Sequence, residues 1–271
     1  MAYTEIDDPS AYFQTTLYTG DGTSSLAITN SGNSDLQADW IWIKERNGTR
    51  DHSIFDSVRG VVKRLESNTA NAEGDETAGL LSLNSDGFTV GADGYVNTNN
   101  NTYVAWCWKA GTSFTNDASS TGIGATDSAG SVNDTAGFSV CTYTGVGGTS
   151  TTIKHGLSTA PTVMLIKNRS DADDWGVYHQ GIGNTNRLYL NNTDASTSSI
   201  GTFRNTSPTN SIFTVGDHAS VNTSGENYVA YIFAEKQGFS KFGSYIGNGS
   251  SDGTFVYTGF KPAFVLQKCS S

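Results

Sequence analysis

A chain of 271 residues is long enough for two domains with a core each. Its net charge of −10 repels phosphate and argues against a nucleic-acid partner. Only 15% of residues are charged, while 31 glycines and abundant Ser, Thr and Asn exclude a helical bundle and favour an all-β chain with many turns.

The N-terminus, MAYTEIDDPS, is polar and acidic and lacks the form of a signal peptide, so folding and assembly in a cytoplasm are expected. Residues 1–12 read as an N-terminal arm, with Asp8 as helix N-cap, Pro9 at the first helical position and a turn or two through Ala11, Tyr12 and Phe13. FQTTLYTGDG (13–22) alternates as a strand and ends in a Gly-rich turn. ADWIWIK (38–44), HSIFDS (52–57) and KRLESNTANA (63–72) follow, and DGFTVGADGYVNTNNNTYVAWCWK (86–109) closes the set.

The same set recurs. FSVCTYTGVG (138–147), PTVMLIK (161–167), WGVYHQ (175–180), NRLYLNNTDA (186–195) and IFTVGDHASVNTSGENYVAYIF (212–233) repeat it in order. A third copy opens with GFSKFGSYIGNG (238–249) and PAFVLQK (262–268) and goes no further. The predicted organisation is an arm (1–12), a β-sandwich (13–109), a flexible or loosely ordered Ser/Thr/Gly-rich linker (110–137), a second β-sandwich (138–236) and an incomplete third repeat (237–271). The third copy is expected either to continue in a longer repeat array, the favoured reading, or to pair with an existing sheet edge.

The repeat also ranks the candidate functional residues. Trp40 and Trp42 answer Val163 and Leu165, and Trp106 and Trp108 answer Tyr231 and Phe233, so these four tryptophans are expected in a core, not on a sugar-binding platform. Ile41 answers Met164, so both faces of the strand are apolar and a central, doubly covered strand is expected. Trp175 differs: its counterpart is His52 and it follows the acidic turn Asp171–Asp174. Partial exposure is expected there, which makes Trp175, with Asp173 and Asp174, the candidate surface contact; a rim aromatic shielding the sheet is the favoured reading of Trp175.

The acidic turn lacks the spacing of a calcium loop, and the basic cluster Arg59, Lys63 and Arg64 reads as a solvated loop or strand edge. Lys44, Lys167 and Lys268 end equivalent strands, where they cap the sheet or discourage edge pairing. Cys107, Cys141 and Cys269 form neither a disulfide framework nor a zinc pattern. His52, His155, His179 and His218 share no metal-ligand motif, no serine sits in a strained Gly-x-Ser-x-Gly setting, and no strand carries paired acids. The expectation is no enzyme, no catalytic residue, no cofactor and no metal, and no apolar run suits membrane insertion.

The segments YFQTTLYTGDG, ADWIWIKERNG, DSVRG, NSDGFTVG, YVAWCWKAG, TAGFSVCTYTG, HGLSTAPTVMLIKNRS and GFKPAFVLQK together resemble a family of repeated β-sandwich domains in virion proteins of marine tailed bacteriophages. Those domains look like concanavalin A-like or laminin-G-like jelly rolls. The resemblance implies a non-catalytic tail-fibre, capsid-fibre or decoration protein in the virion, assembled in the cytoplasm of the bacterial host. Its expected partners are other capsid or tail proteins reached through the arm, further copies in a homo-oligomer, and a host surface glycan. A glycan-binding adhesin is the alternative, and a polysaccharide-cleaving enzyme on the same fold stands further behind. The resemblance transfers no catalytic residue.

Overall fold

The computed structural model describes Thr4 and residues 6–271; Met1, Ala2, Tyr3 and Glu5 of the expected arm lie outside the described residues. Asp8 caps a single 3-10 turn, Pro9–Ala11, by accepting from the Ser10 N–H. The turn stops there and the first strand begins at Phe13.

The chain is an all-β antiparallel sandwich. Its first unit holds β1 (Phe13–Thr19), β2 (Leu26–Ile28), β3 (Trp40–Glu45), β4 (Ser53–Asp56), β5 (Lys63–Arg64), β6 (Gly74–Asp75), β7 (Leu80–Asn84), β8 (Gly87–Val90), the one-turn helix α1 (Gly94–Asn97) and β9 (Thr102–Trp108). The main sheet runs β1-β9-β3-β4, and a smaller sheet runs β2-β8-β7. Successive strand residues point to opposite faces. Ile41, Ile43, Ala105 and Cys107 therefore face one way and pack on Ile28, Leu80, Phe88 and Val90 of the small sheet.

The second unit repeats the plan with β12 (Phe138–Thr144), β13 (Thr151–Lys154), β14 (Val163–Asn168), β15 (Gly176–His179), β16 (Asn186–Tyr189), β17 (Thr197–Ser198), α3 (Ile200–Phe203), β18 (Ile212–Val215), α4 (Ala219–Asn222) and β19 (Asn227–Phe233). Here β12-β19-β14-β15 lie side by side as β1-β9-β3-β4 do, and β13-β18 answers β2-β8. The register is the same as well. Phe13 and Trp40 both face Trp108, while Phe138 and Val163 both face Phe233.

The repeated glycines follow from close backbone approach. A Cβ on Gly20 or Gly145 would run into the carbonyl of Thr98 or Thr223, which begins the turn ahead of β9 or β19.

The Ser/Thr/Gly-rich segment is not a loose linker. It forms β10 (Thr112–Asn116), a capped turn α2 (Ala118–Thr121) and β11 (Ser128–Asn133), which extend the second unit's main sheet outward from β12. Its order rests on the ladder Ser128↔Tyr143 to Asn133↔Phe138, not on large apolar side chains, so its composition resembled that of a linker. The small Gly130 lets the Phe114 ring lie over the strand.

The two units join through the other faces of their main sheets. Trp40, Trp42, Ile54, Leu65 and Trp108 of the first pack against Phe138, Val140, Val163, Leu165, Val177 and Tyr231 of the second. Equivalent faces meet, as in an isologous dimer built within one chain. Trp40 lies 4.6 Å from Tyr231 and 5.6 Å from Phe138, nearly parallel to both. Trp40, Trp42 and Trp108 are buried and Trp106 is half-buried, in the interface between units and not inside one sandwich.

The third copy forms no strand. Among the described residues beyond Phe233, the ladder contact is the isolated bridge Lys236↔Ser240.

Candidate functional site

Trp175 is not a surface residue. It is 0% exposed, its indole N–H donates to the Glu66 carbonyl at 2.8 Å, and its ring stacks beside Tyr231. Its counterpart His52 accepts from the Trp42 indole at 2.7 Å at the margin of the same interface. A polar counterpart signalled exposure only on the premise that the two units have equal surroundings. The interface breaks that equality.

Asp173 and Asp174 are half-buried and serve the turn: Asp173 accepts from the Asn168 amide at 2.7 Å and Asp174 from the Asn191 amide at 2.6 Å. The structure thus separates the three candidate residues into a buried anchor and two turn carboxylates. Among the described residues no cluster of three His, Cys, Asp or Glu is arranged to hold a metal ion.

Beside Trp175 lies a charged network that the sequence reading missed. Arg59, expected in a solvated loop, has a fully buried side chain. Its Nε donates to Asp56 at 2.5 Å and its Nη1 to Glu73 at 2.8 Å, while Tyr231 of the second unit donates its hydroxyl to Asp56 at 2.6 Å. Glu73 in turn takes a bidentate pair from Arg169 of the second unit, at 2.8 and 2.9 Å. Burial opposes charge on Arg59, but Asp56, Tyr231 and Glu73 outweigh it and raise its pKa. Burial likewise works against an ionised Glu73, yet Arg169 and Arg59 hold its carboxyl below the usual range. One signal of this network was present in the sequence. Asp56 and Arg59 correspond to His179 and Ile182, so they are polar residues that the repeat does not keep.

The strand-end lysines act alike. Lys44 donates to the Glu45 and Gly48 carbonyls, Lys167 to those of Asn168 and Asp171, and Lys268 to those of Asn192 and Asp194. Each ammonium caps a turn. Lys167 is wholly buried, and burial, opposed by Asp173 and neighbouring acids, lowers its pKa to about 8.

One open feature is a shallow groove of about 420 Å³ across β10, β11 and β12. Thr115, Asp117, Asp127, Thr144 and Asn227 on it are exposed, and Arg169 stands at its side, already paired with Glu73. Tyr143, the aromatic residue of the lining, is buried and donates its hydroxyl to the Val221 carbonyl. The groove offers hydroxyls, amides and carboxylates but no exposed aromatic face. It lies on the face of the second unit's sheet that elsewhere packs on the first unit. No described helix is long and apolar enough to cross a membrane.

No curated protein and no solved structure matches the chain. Over residues 8–271 it matches the pattern of one protein family, and it belongs to that family, the Domain of unknown function (DUF7483).

Proposed function

We propose that this chain is a non-catalytic structural component of a tailed-phage virion, in a tail fibre, a capsid fibre or a decoration layer. The virion context comes from the sequence resemblance. The architectural role is carried by one observation, the continuous aromatic core that fuses the two units face to face into a single block. Supporting it, Trp175, Arg59, Lys167 and His155 are all engaged in hydrogen bonds that hold backbone or side chains in place. The arm fits an attachment role beyond its braced part. Asp8 and Ser10 bind Ser34 and Ile6 is buried, so residues 6–12 belong to the first unit, which leaves the residues before them as the candidates for reaching a neighbour.

Host-glycan adhesion is the second reading, favoured by the hydroxyl- and amide-lined groove. Its contacts would be Thr115, Asp117, Thr144 and Asn227.

The test is made on particles. The full chain should appear in washed virions at a fixed copy number, and deletion of residues 1–5 should leave a folded protein that no longer incorporates. Absence from washed particles, or shortening of host-surface polysaccharide by the recombinant protein, would sink the proposal.

A further inference from the structure

The lining of the groove follows from strand register. Thr144 stands opposite Asn227, and the Arg169 N–H donates to the Asn227 carbonyl at 2.8 Å. On the other side, Asp117 and Asp127 follow directly on the last pair of the β10-β11 ladder, Asn116↔Ser128. The β11-β12 ladder begins at Ser128↔Tyr143, which sets Asp127 beside Thr144. Cross-strand neighbours share a face. Asp117, Asp127, Thr144, Asn227 and Arg169 therefore form one line across five strands, about 19 Å long at roughly 4.8 Å per gap. All five line the groove. The next row inward makes the hollow: Ala129 stands between Thr115 and Thr142, and its methyl is the shortest side chain of the three.

Part of this line is already committed. Asp117 caps α2, accepting from Ser119 and Ser120. Arg169 gives Nε and Nη2 to Glu73. One oxygen of Asp127 accepts from the Ala118 N–H at 2.8 Å, and the Asn227 side-chain oxygen takes the Thr144 hydroxyl at 3.2 Å. Four groups keep capacity among the described residues: the second Asp127 oxygen, the Thr115 hydroxyl, the Asn227 amide N–H pair and Arg169 Nη1. An acceptor, a hydroxyl and two donors at strand spacing suit a ligand built of hydroxyls, each of which both donates and accepts.

Charge narrows the class. Arg169 is the cation among the described lining residues, and Glu73 neutralises it. Asp117 and Asp127 have no ion-pair partner among the described residues, and hydrogen bonds from Ser119 and Ser120 hold the Asp117 carboxyl below its usual range. On a chain of net charge −10, such a groove repels phosphate, sulfate and carboxylate. Without an exposed aromatic face, recognition comes from hydrogen bonds that compete with water, so one site binds weakly.

We propose that the groove binds an uncharged, hydroxyl-rich saccharide chain laid across the strands, along the line from Asp127 to Arg169. Asp127 and Thr115 meet its hydroxyls at one end, and Asn227 and Arg169 donate to them at the other. The inference rests on the adhesion reading and deepens it by naming the class of glycan and its direction on the sheet.

The test uses saturation-transfer NMR, which suits weak binding, on the full chain. The probes are short oligosaccharides of mannan and β-1,3-glucan as neutral chains, of alginate and sulfated galactan as acidic ones, and of chitosan as a cationic one. At least one neutral probe should bind and the acidic probes should not. Thr115→Val with Asn227→Ala should weaken that binding at least tenfold and leave thermal unfolding unchanged. Thr144→Lys, which adds an unpaired cation to the line, should admit alginate. Stronger binding of an acidic probe or of chitosan by the unaltered chain overturns the proposed class and leaves adhesion standing. Neutral binding that the double variant does not change overturns the site. No binding of any probe overturns the adhesion reading together with the inference.

Discussion

Glu45 and Asn101 are the first unit's version of a contact that the second unit builds the other way round. In the first, the Asn101 amide donates to the carboxylate of Glu45 at the end of β3; in the second, the amide of Asn168 at the end of β14 donates to Glu226. The acid and the amide have exchanged strands, and the contact survives. Glu45 is buried, so Asn101→Glu alone sets two carboxylates against each other and should cost about 3 kcal/mol. Glu45→Asn alone should cost about 1 kcal/mol. The double variant re-creates the second unit's pair and should recover most of the loss, a coupling of at least about 1 kcal/mol in urea unfolding. Simple additivity would count against the equivalence of the two contacts.

At the scale of elements, His155 pins the strand pair β13-β18. Its ring accepts from the Leu157 N–H at 3.2 Å, its Nε2 meets the Thr209 carbonyl at 3.1 Å, and its own carbonyl accepts from the Ser139 hydroxyl at 2.6 Å. Burial keeps the ring neutral and lowers its pKa to about 4. The unfolded chain takes up this proton near pH 6.5, and the folded chain resists it until about pH 4. The contribution is therefore whole above pH 6.5 and disappears as pH falls through 4, up to about 3 kcal/mol. His155→Gln should flatten the stability profile between pH 4 and 6.5 by that share, read from thermal unfolding at stepped pH. An unchanged slope would mean that the ring titrates freely in the folded chain.

For the whole molecule, Trp175 is the point where the units are joined. It is fully buried, bonded to Glu66 of the first unit and stacked beside the tyrosine that reaches Asp56. Trp175→Ala should cost about 3–5 kcal/mol, since it opens a cavity and leaves a carbonyl unpaired. It should also split the unfolding into two transitions by calorimetry, because the shared core is what makes the two units unfold together. A loss under about 1 kcal/mol with one sharp transition would place the ring outside the interface. The same variant read as a glycan-contact change would alter binding and leave stability alone.

The sequence by itself determined the strand plan. Residues 13–109 and 138–236 must satisfy the same alternation, the same Gly approaches and the same strand pairing, so matched segments acquire matched registers. It also placed Trp40, Trp42 and Trp108 inside, because apolar residues recur at those positions in each copy. Only the tertiary structure decided what they are inside of. The outer faces of two similar sheets cover each other, and that contact is absent from any single copy's pattern. It buried Trp175 and Arg59, whose counterparts are unlike them, and it ordered β10 and β11, whose support is backbone pairing that composition does not register. Residues 239–268, which repeat the opening segments of a unit, form no strand.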